Sequence, residues 1–442
     1  MSSATHMEQF SYNQIAVIGA AGKMGNGISL LILQEMARNK IAKSSMTSED
    51  FILTLIDTSQ DGLKGLKKYL RAQMLKWAEK NIAFLRQSVM ELEFLISNRE
   101  IIDHFMTISM DIICFASSLE EAKESKLIFE AISENIDTKV RILSLLEKQS
   151  SKRPYFFSNT SSIPISLLNE QAALQGRIIG FHFYNPPAVQ KLIEIIPLDN
   201  GDPELIKLAE TLAQRLNKEI IYSKDIAGFI GNGYFLREIN FACALAEELS
   251  KKYGTLQSIY IVNKVTQEFM LRPMGIFQLI DYVGLDVVSN IGNIMHQYLH
   301  LPISYTNIFQ KLTVNGIYGG QQSNGSQKNG FFQYTGNEIS GIYSSEYISI
   351  NELEGKASID EMIGTPPDNL SWKSLSKATN REILIQNYFE KLSHEKSFGA
   401  ELAMKLLHNL HKIINDLVED GVAKSVEDVK NVLKKGFYQL LG

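Results

Sequence analysis

Short apolar runs alternate with amphipathic stretches through the first half of the chain. The runs have strand length and lie at residues 14–18, 51–56, 112–115, 127–132, 155–157, 178–181, 192–196 and 219–222. The stretches between them place apolar residues at helical spacing, as Leu63, Leu66 and Leu70 do. Strands that alternate with helices predict a mainly parallel sheet with helices on both faces.

The first apolar run leads into a glycine-rich turn, Gly19-Ala20-Ala21-Gly22-Lys23-Met24-Gly25. Strand, glycine turn and helix are the context of a dinucleotide site, because glycines let the backbone approach a pyrophosphate whose charge lies at the helix N-terminus. Gly19, Gly22, Lys23, Met24 and Gly25 are therefore candidate cofactor-binding residues. The first gap is one residue longer than in Gly-x-Gly-x-x-Gly, so the amides that contact the pyrophosphate stay open. A plain tight turn is the alternative.

Asp57 ends the second predicted strand. An acid at that position accepts hydrogen bonds from the adenosine ribose and repels a 2′-phosphate, which favours NAD over NADP. The polar stretch at residues 37–50 is interpreted as a surface insertion that lengthens the usual interval of about 20 residues between turn and acid. An ordinary surface aspartate is the alternative for Asp57.

The pattern changes to continuous helix near residue 225, which marks a predicted domain boundary. The predicted fold class is an α/β Rossmann-type NAD-binding domain followed by one or more all-α C-terminal domains. We expect a tail at residues 1–11, the NAD-binding domain at 12–224, a helical domain at 225–335, a linker at 336–370 and a second helical domain at 371–442.

Composition narrows the possible functions. A net charge of −5 gives no reason to expect a nucleic-acid partner. The two cysteines, Cys114 and Cys243, lie in apolar surroundings and predict packed thiols of a reducing compartment. No run is long enough to cross a bilayer, and the N-terminus shows no apolar signal region. His104, His296, His300, His394, His408 and His411 show no carboxylate or thiol cluster. We therefore expect a cytoplasmic protein with no membrane association and no bound metal.

The most informative chemistry is a histidine and a glutamate in neighbouring strands. His182 lies where a strand gives way to the turn Asn185-Pro186-Pro187, and Glu194 lies inside the next apolar run. A carboxylate flanked by aliphatic residues is costly to bury alone, so we predict that it pairs with His182. A carboxylate on one imidazole nitrogen fixes the tautomer and strengthens the other nitrogen as a base, which suits proton removal from an alcohol. A packed histidine and a surface-facing glutamate are the alternative.

Four segments resemble motifs of the L-3-hydroxyacyl-CoA dehydrogenase family, in the same order and at similar intervals. They are SNTSSIPIS at 158–166, FHFYNPPAVQKLIEII at 181–196, DIAGFIGN at 225–232 and PMGIFQLIDYVGLD at 273–286. The resemblance covers roughly residues 13–334. It implies NAD-dependent, reversible oxidation of (S)-3-hydroxyacyl-CoA to 3-oxoacyl-CoA, in fatty acid β-oxidation or short-chain acyl-CoA metabolism.

The resemblance also implies roles for individual residues. His182 is the catalytic base, Glu194 is its orienting carboxylate, and Ser161 and Asn232 hold the hydroxyl and thioester oxygens of the substrate. Ser161 also lies at the cofactor.

Four further residues are implied as ligand contacts. Glu134 and Lys139 lie near the nicotinamide end of the cofactor, and Lys76 and Lys80 approach the CoA phosphates. From the residues alone, Glu134 reads as an ordinary helix-start acid, Lys139 as a surface lysine, and the other two lysines as part of a solvated helix face.

Residues 371–442 resemble a second copy of the family's C-terminal domain. Gly254 followed by Ser258 parallels Gly421 followed by Ser425. Two such domains could pack as two subunits otherwise would, so we expect a homodimer or a monomer with an internal pseudo-dimer. Two functional alternatives stay open: a dehydrogenase of a hydroxy acid or sugar acid without CoA, and a non-catalytic protein that binds NAD or acyl-CoA.

Overall fold

The computed structural model describes residues 12–42, 50–92, 94–322, 325–336 and 338–440. The predicted tail at 1–11 lies outside this part of the chain. The chain divides into two compact units, residues 1–225 and 226–442. The predicted boundaries at residues 335 and 370 stay predictions.

An eight-stranded sheet forms the centre of the first unit, with the strand order β3-β2-β1-β4-β5-β6-β7-β8. Its strands are β1 (Gln14–Ile18), β2 (Ile52–Ile56), β3 (Ile113–Ala116), β4 (Leu127–Glu130), β5 (Tyr155–Ser158), β6 (Ile178–Phe183), β7 (Leu192–Ile196) and β8 (Glu219–Tyr222). All neighbouring strands are parallel except β6 and β7. This order confirms the predicted Rossmann-type fold class.

Seven α-helices lie in the described ranges of the first unit. They are α1 (Lys23–Ala42), α2 (Gln60–Lys80), α3 (Ile82–Ser88), α4 (Asn98–Asp111), α5 (Ile136–Gln149), α6 (Ile165–Gln171) and α7 (Pro203–Arg215). The prediction of a polar surface insertion beginning at residue 37 is wrong. Leu33, Ala37 and Ile41 are fully buried at four-residue spacing, so the apolar face of α1 continues to its end. Residues 43–49 lie outside the described ranges.

A row of phenylalanine rings supports the carboxyl ends of the central strands. Phe129, Phe157, Phe181 and Phe183 lie on β4, β5 and β6, and each is at most 1% exposed. Their neighbouring ring centroids are 4.7–5.9 Å apart. Since each fully buried side chain of this size stabilises the fold by about 1.5–3 kcal/mol, the row holds the strand ends in fixed positions.

The second unit is mostly helical, as predicted. Its helices are α8 (Gly231–Tyr253), α9 (Thr255–Glu268), α10 (Ile276–Val283), α11 (Leu285–Leu299), α12 (Asn307–Val314), α13 (Lys356–Ile363), α14 (Trp372–Leu375), α15 (Arg381–His394), α16 (Phe398–Glu419) and α17 (Val426–Gly436). Helix α16 packs against both α8 and α9, and α17 packs against α8.

A three-stranded antiparallel sheet in the second unit was not predicted. It consists of β9 (Phe332–Thr335), β10 (Glu338–Tyr343) and β11 (Tyr347–Ser349). The segment predicted as a linker, residues 336–370, contains β10, β11 and α13, and its role between two domains stays a prediction. Ile342 and Ile363 are fully buried there. The strands are short, and only four of their residues are buried: Phe332, Gly341, Ile342 and Tyr343.

The internal parallel between the two helical segments holds for the glycines and fails for the serines. Gly254 and Gly421 each follow a long helix and have positive φ, +93° and +73°. Ser425 caps the N-terminus of α17, where its side chain accepts a hydrogen bond from the amide of Asp428. Ser258 instead lies inside α9 and donates to the carbonyl of Thr255.

Arg272 and Glu238 form a buried ion pair in the second unit. Arg272 Nη2 and Glu238 Oε1 are 2.6 Å apart, and the two side chains are 5% and 7% exposed. Gln439 donates from Nε2 to Glu238 Oε2 over 3.2 Å and accepts from the hydroxyl of Tyr234 over 2.9 Å. The residues near the end of the described chain therefore pack onto this pair.

Asp281 fixes the segment that carries the small sheet. Its carboxylate accepts hydrogen bonds from the amides of Phe331 and Phe332, at 2.6 and 3.0 Å, and from the hydroxyl of Tyr334 at 2.8 Å. Burial raises the pKa of Asp281 to about 7, and these three donors oppose the shift.

We expect Asp281→Asn to gain stability relative to the wild type as the pH rises from 4 to 7. A carboxyl group whose folded pKa is raised from 3.8 to about 7 binds its proton more tightly in the folded protein, so its contribution falls through this window. The slope is at most about 1.4 kcal/mol per pH unit. Urea unfolding at several pH values measures it, with the exposed Asp286→Asn as control. A constant difference between Asp281→Asn and wild type would contradict the shifted pKa.

Candidate active site

The carboxyl ends of the parallel strands meet at one edge of the sheet, and the strand order reverses between β1 and β4. Open α/β sheets bind their ligands in the crevice at such a reversal. Gly19 follows β1, Asp57 follows β2, and Glu130, Ser158 and His182 lie at or near the ends of β4, β5 and β6. These residues are therefore the starting points of the candidate site.

The glycine turn makes a close backbone contact that a side chain would prevent. Gly19 has φ +79°, and a Cβ atom built on it would lie 2.6 Å from the carbonyl oxygen of Ala131. A Cβ atom on Gly25 would lie 1.9 Å from the carbonyl oxygen of Gly19, so α1 approaches the turn closely. Gly22 donates to the carbonyl of Gly19, and α1 begins at Lys23, followed by Met24. A turn with an open helix N-terminus fits a dinucleotide pyrophosphate; the individual contacts stay predictions.

Asp57 is joined to the glycine turn by its side chain. Its Oδ2 accepts from the amide of Ala21 at 3.0 Å, and its Oδ1 accepts from the amide of Ser59 at 2.9 Å. Ala21 lies in the longer first gap of the turn, between Gly19 and Gly22, and its amide orients the Asp57 carboxylate. Each carboxylate oxygen has a second lone pair, so the arrangement is compatible with ribose hydroxyls.

Lys139 is buried, so its interpretation as a surface lysine is wrong. Its side chain is 1% exposed and its Nζ lies 2.6 Å from Glu130 Oε1 and 3.3 Å from Glu134 Oε2. Burial lowers the pKa of Lys139, but the two carboxylates outweigh it and the net shift is upward. Sequence analysis missed Glu130, although a glutamate ending a buried strand needs a partner just as Glu194 does.

Glu134 holds the serine-rich turn that follows β5. Its Oε1 accepts hydrogen bonds from the amides of Ser161 and Ser162, at 2.9 and 2.8 Å, and from the hydroxyl of Thr160 at 2.7 Å. Burial raises the pKa of Glu134, but Lys139 and these donors outweigh it and the net shift is downward. The hydrogen bond from the Ser161 amide to Glu134 therefore fixes the position of Ser161.

His182 and Glu194 face each other across the antiparallel strands β6 and β7. They are directly paired in the strand register, and His182 Nδ1 lies 2.7 Å from Glu194 Oε2. Their side chains are 9% and 0% exposed. The hydroxyl of Tyr184 donates to the same oxygen at 2.8 Å. Burial, together with the charge of Glu194, raises the pKa of Tyr184 well above its usual value, so the phenol stays a donor.

The structure thus brings His182 and Glu194 into contact, as predicted, and rules out a surface-facing glutamate. Sequence analysis missed Tyr184, although it lies two residues after His182 and so points to the same side of the strand. The catalytic role of the pair stays a prediction.

The remaining predicted contacts lie elsewhere on the fold. Asn232 is the second residue of α8, in the second unit. Lys76 and Lys80 are exposed on α2, whose opposite face buries Leu70 and Met74. Their substrate contacts stay predictions.

Two general searches cover the part of the chain that the structure describes. It contains no group of three or more His, Cys, Asp or Glu side chains that could hold a metal ion. None of its helices is both long and apolar enough to span a membrane.

Comparison with known proteins gives a consistent picture. The model of the family "3-hydroxyacyl-CoA dehydrogenase, NAD binding domain" matches residues 14–226, and "3-hydroxyacyl-CoA dehydrogenase, C-terminal domain" matches residues 228–329. The Bacillus subtilis (strain 168) protein named "Probable 3-hydroxybutyryl-CoA dehydrogenase" is 27% identical over 283 residues, 64% of this chain and 85% of its own.

Two further relatives extend the comparison. The Homo sapiens protein "Hydroxyacyl-coenzyme A dehydrogenase, mitochondrial" is 28% identical over 278 residues, 60% of this chain and 82% of its own. The crystal structure of 3-hydroxybutyryl-CoA dehydrogenase from Escherichia coli K12 substr. MG1655 has a TM-score of 0.62 at 17% identity and covers 97% of this chain and 89% of its own. The latter likeness concerns the fold and includes the residues after 329.

Proposed function

Because this chain belongs to the 3-hydroxyacyl-CoA dehydrogenase family and is an NAD-dependent oxidoreductase of 3-hydroxyacyl-CoA, we propose that His182 is the base that removes the proton of the 3-hydroxyl group. The observation that carries this proposal is the 2.7 Å contact between His182 Nδ1 and Glu194 Oε2. With Nδ1 directed to the carboxylate, Nε2 is the nitrogen that accepts the substrate proton.

The reaction follows from the positions of the proton and the hydride. The hydroxyl proton passes to Nε2 of His182 while C3 loses a hydride, so the alcohol becomes a ketone. NAD supplies the hydride acceptor, and Gly19, Gly25 and Asp57 are the residues that would hold it. Glu194 stabilises the imidazolium that forms, and the Tyr184 hydroxyl keeps that carboxylate in place.

Ser161 and Asn232 are proposed to hold the 3-oxygen and the thioester oxygen of the substrate. The support for Ser161 is the turn that Glu134 fixes at the end of β5. Asn232, Lys76 and Lys80 rest on the family resemblance. Orientation of a substrate oxygen in this way aligns C3 with the hydride acceptor.

The finer assignments concern substrate, setting and assembly. We propose reversible turnover of short-chain acyl-CoA, in fatty acid β-oxidation or a related acyl-CoA pathway, and a cytoplasmic setting. We also propose an internal pseudo-dimer, which the packing of α16 against α8 and α9 supports. Because the chain belongs to this family, we do not pursue the two alternatives, a dehydrogenase that acts without CoA and a non-catalytic protein.

The test is oxidation of NADH in the presence of acetoacetyl-CoA, with NADPH in parallel. We expect turnover with NADH and a rate with NADPH at least about tenfold lower, because Asp57 repels a 2′-phosphate. Free acetoacetate serves as the substrate control. A folded protein that binds NADH but reduces only the free acid would overturn the CoA assignment, and equal use of NADPH would overturn the role of Asp57.

A further inference from the structure

Lys218 is a buried lysine whose side chain binds a single turn of the first unit. It is 9% exposed and lies between α7 and β8. Its Nζ donates to the carbonyl oxygen of Pro187 at 2.6 Å and to that of Gln190 at 2.5 Å. Both acceptors belong to the β6–β7 turn, residues 184–191, which follows the strand that carries His182. One buried cation therefore joins two carbonyls within this turn.

The sheet topology explains why a residue so much later in the chain reaches the β6–β7 turn. β6 and β7 are antiparallel and β7 and β8 are parallel, so the end of β6 and the starts of β7 and β8 lie at the same edge of the sheet. The amide of Glu219 donates to the carbonyl of Lys191, the last residue of the turn, at 2.7 Å. The amide of Lys218 donates to the carbonyl of Ala213 in α7 at 2.9 Å. The backbone of Lys218 is therefore fixed on both sides.

The charge of Lys218 is stabilised by the turn itself. Burial lowers the pKa of Lys218 to about 8, so the group still carries its charge at pH 7. A buried charge is costly unless polar groups compensate it, and here the compensating atoms are the two backbone carbonyls. The ring of Phe183, at the end of β6, lies 5.9 Å from Nζ. The hydrogen bonds that stabilise the ammonium group therefore also constrain the turn.

The β6–β7 turn also contacts the helix that begins at the glycine turn. A Cβ atom built on Gly27 of α1 would lie 2.9 Å from Pro187 Cδ, so the helix and Pro187 are in close contact. Pro187 is buried. This residue thus links the strand end that carries His182 to the helix at the candidate cofactor site.

We propose that Lys218 is a positioning residue for the reaction: by holding the carbonyls of Pro187 and Gln190, it sets the distance between the strand end of His182 and helix α1. This inference rests on the proposed role of His182 as the base. A base has to lie within hydrogen-bond distance of the proton that it removes. A misplacement of about 1 Å can lower the rate about a hundredfold.

The test compares Lys218→Met with the wild type in the full chain. Methionine keeps an unbranched apolar stem but has no donor for the two carbonyls. Lys218→Arg restores a charged donor and tests rescue. Lys191→Met is the matched control, because Lys191 lies in the same turn and is exposed.

Two measurements report the turn and the reaction separately. The amides of Val189 and Gln190 both donate to the carbonyl of Pro186 at 3.0 Å, so their hydrogen exchange reports the opening of the β6–β7 turn. Steady-state kinetics with NADH and acetoacetyl-CoA gives kcat and the KM for NADH.

We expect the two amides to exchange about tenfold faster in Lys218→Met, because two charge-assisted hydrogen bonds to the turn are lost. The value of kcat should fall about tenfold or more, whereas the KM for NADH should stay within about twofold of the wild-type value. Lys218→Arg should recover most of kcat, and Lys191→Met should change neither quantity. A general loss of stability would not produce this split between kcat and KM together with rescue by arginine.

Three results for Lys218→Met would overturn the proposal. The first is wild-type amide exchange with wild-type kcat. The second is faster exchange with unchanged kcat, which would leave Lys218 a structural role only. The third is a raised KM for NADH with unchanged kcat, which would make Lys218 part of cofactor binding.

The inference and the proposed function can fail separately. If the wild type does not turn over acetoacetyl-CoA, the proposed function fails, and amide exchange alone decides whether Lys218 holds the turn. If Lys218→Met does not fold, Lys218→Gln replaces it, because the shorter, neutral side chain cannot hold both carbonyls. Faster exchange at Val189 and Gln190 with a lower kcat is again expected, and wild-type values of both overturn the proposal.

Discussion

His182→Ala is expected to lower kcat for the reduction of acetoacetyl-CoA by about a thousandfold, because a positioned general acid or base contributes roughly a hundredfold to ten-thousandfold. The KM for NADH should change little, since the imidazole is paired with Glu194 at the end of β6 and not with the glycine turn. Steady-state oxidation of NADH measures both constants.

Variants of Glu194 and Tyr184 should lower kcat by smaller amounts than His182→Ala, in a defined order. Glu194→Gln keeps the size of the side chain but removes the charge that stabilises the imidazolium, so its loss of kcat should be smaller than that of His182→Ala. Tyr184→Phe removes only one hydrogen bond to Glu194 and should lose least. His182→Ala with near-normal turnover in a folded protein would refute the assignment of the base. An equal loss for all three variants would point to general damage at the strand ends.

Arg272→Met is expected to destabilise the second unit by about 3–5 kcal/mol, because it leaves Glu238 buried without its cation. The methionine fills much of the same volume, so the cost comes mainly from the uncompensated charge. The midpoint of urea unfolding, followed by circular dichroism, should fall accordingly.

The matched control is the double variant Arg272→Met with Glu238→Gln. It removes both charges, and Gln439 can still donate to the new amide oxygen, so most of the stability should return. Equal unfolding midpoints for the single and double variants would mean that packing, not charge, determines the cost. Arg237→Met is a second control, because its partner Asp420 is 55% exposed.

The sequence allowed prediction of those parts of the fold and the site that depend on neighbouring residues. Strand-length apolar runs located β1, β7 and β8 to the residue. The glycine turn after the first strand predicted that a helix follows, although α1 begins at Lys23, inside the predicted turn. His182 and Glu194 were predicted to pair because a carboxylate inside an apolar strand has to be compensated.

What could not be predicted depends on contacts between distant segments. The burial of Lys139 follows from a partner nine residues earlier, at the end of another element. The small sheet depends on Asp281, whose carboxylate binds amides about 50 residues later. Polar residues in such segments resemble a loop in sequence, because their structure comes from hydrogen bonds and not from an apolar period.

The register of β6 and β7 has a consequence for recognising such sites in other chains. His182 and Glu194 are opposite each other because their strands are adjacent and antiparallel, and the turn between them only reverses the chain. A longer or shorter turn would change their separation in sequence while leaving the two side chains face to face, provided that the register is kept. A search for a fixed interval of twelve residues would therefore miss equivalent pairs. A search for a histidine and a glutamate that each lie within an apolar strand, joined by a turn of any length, would find them.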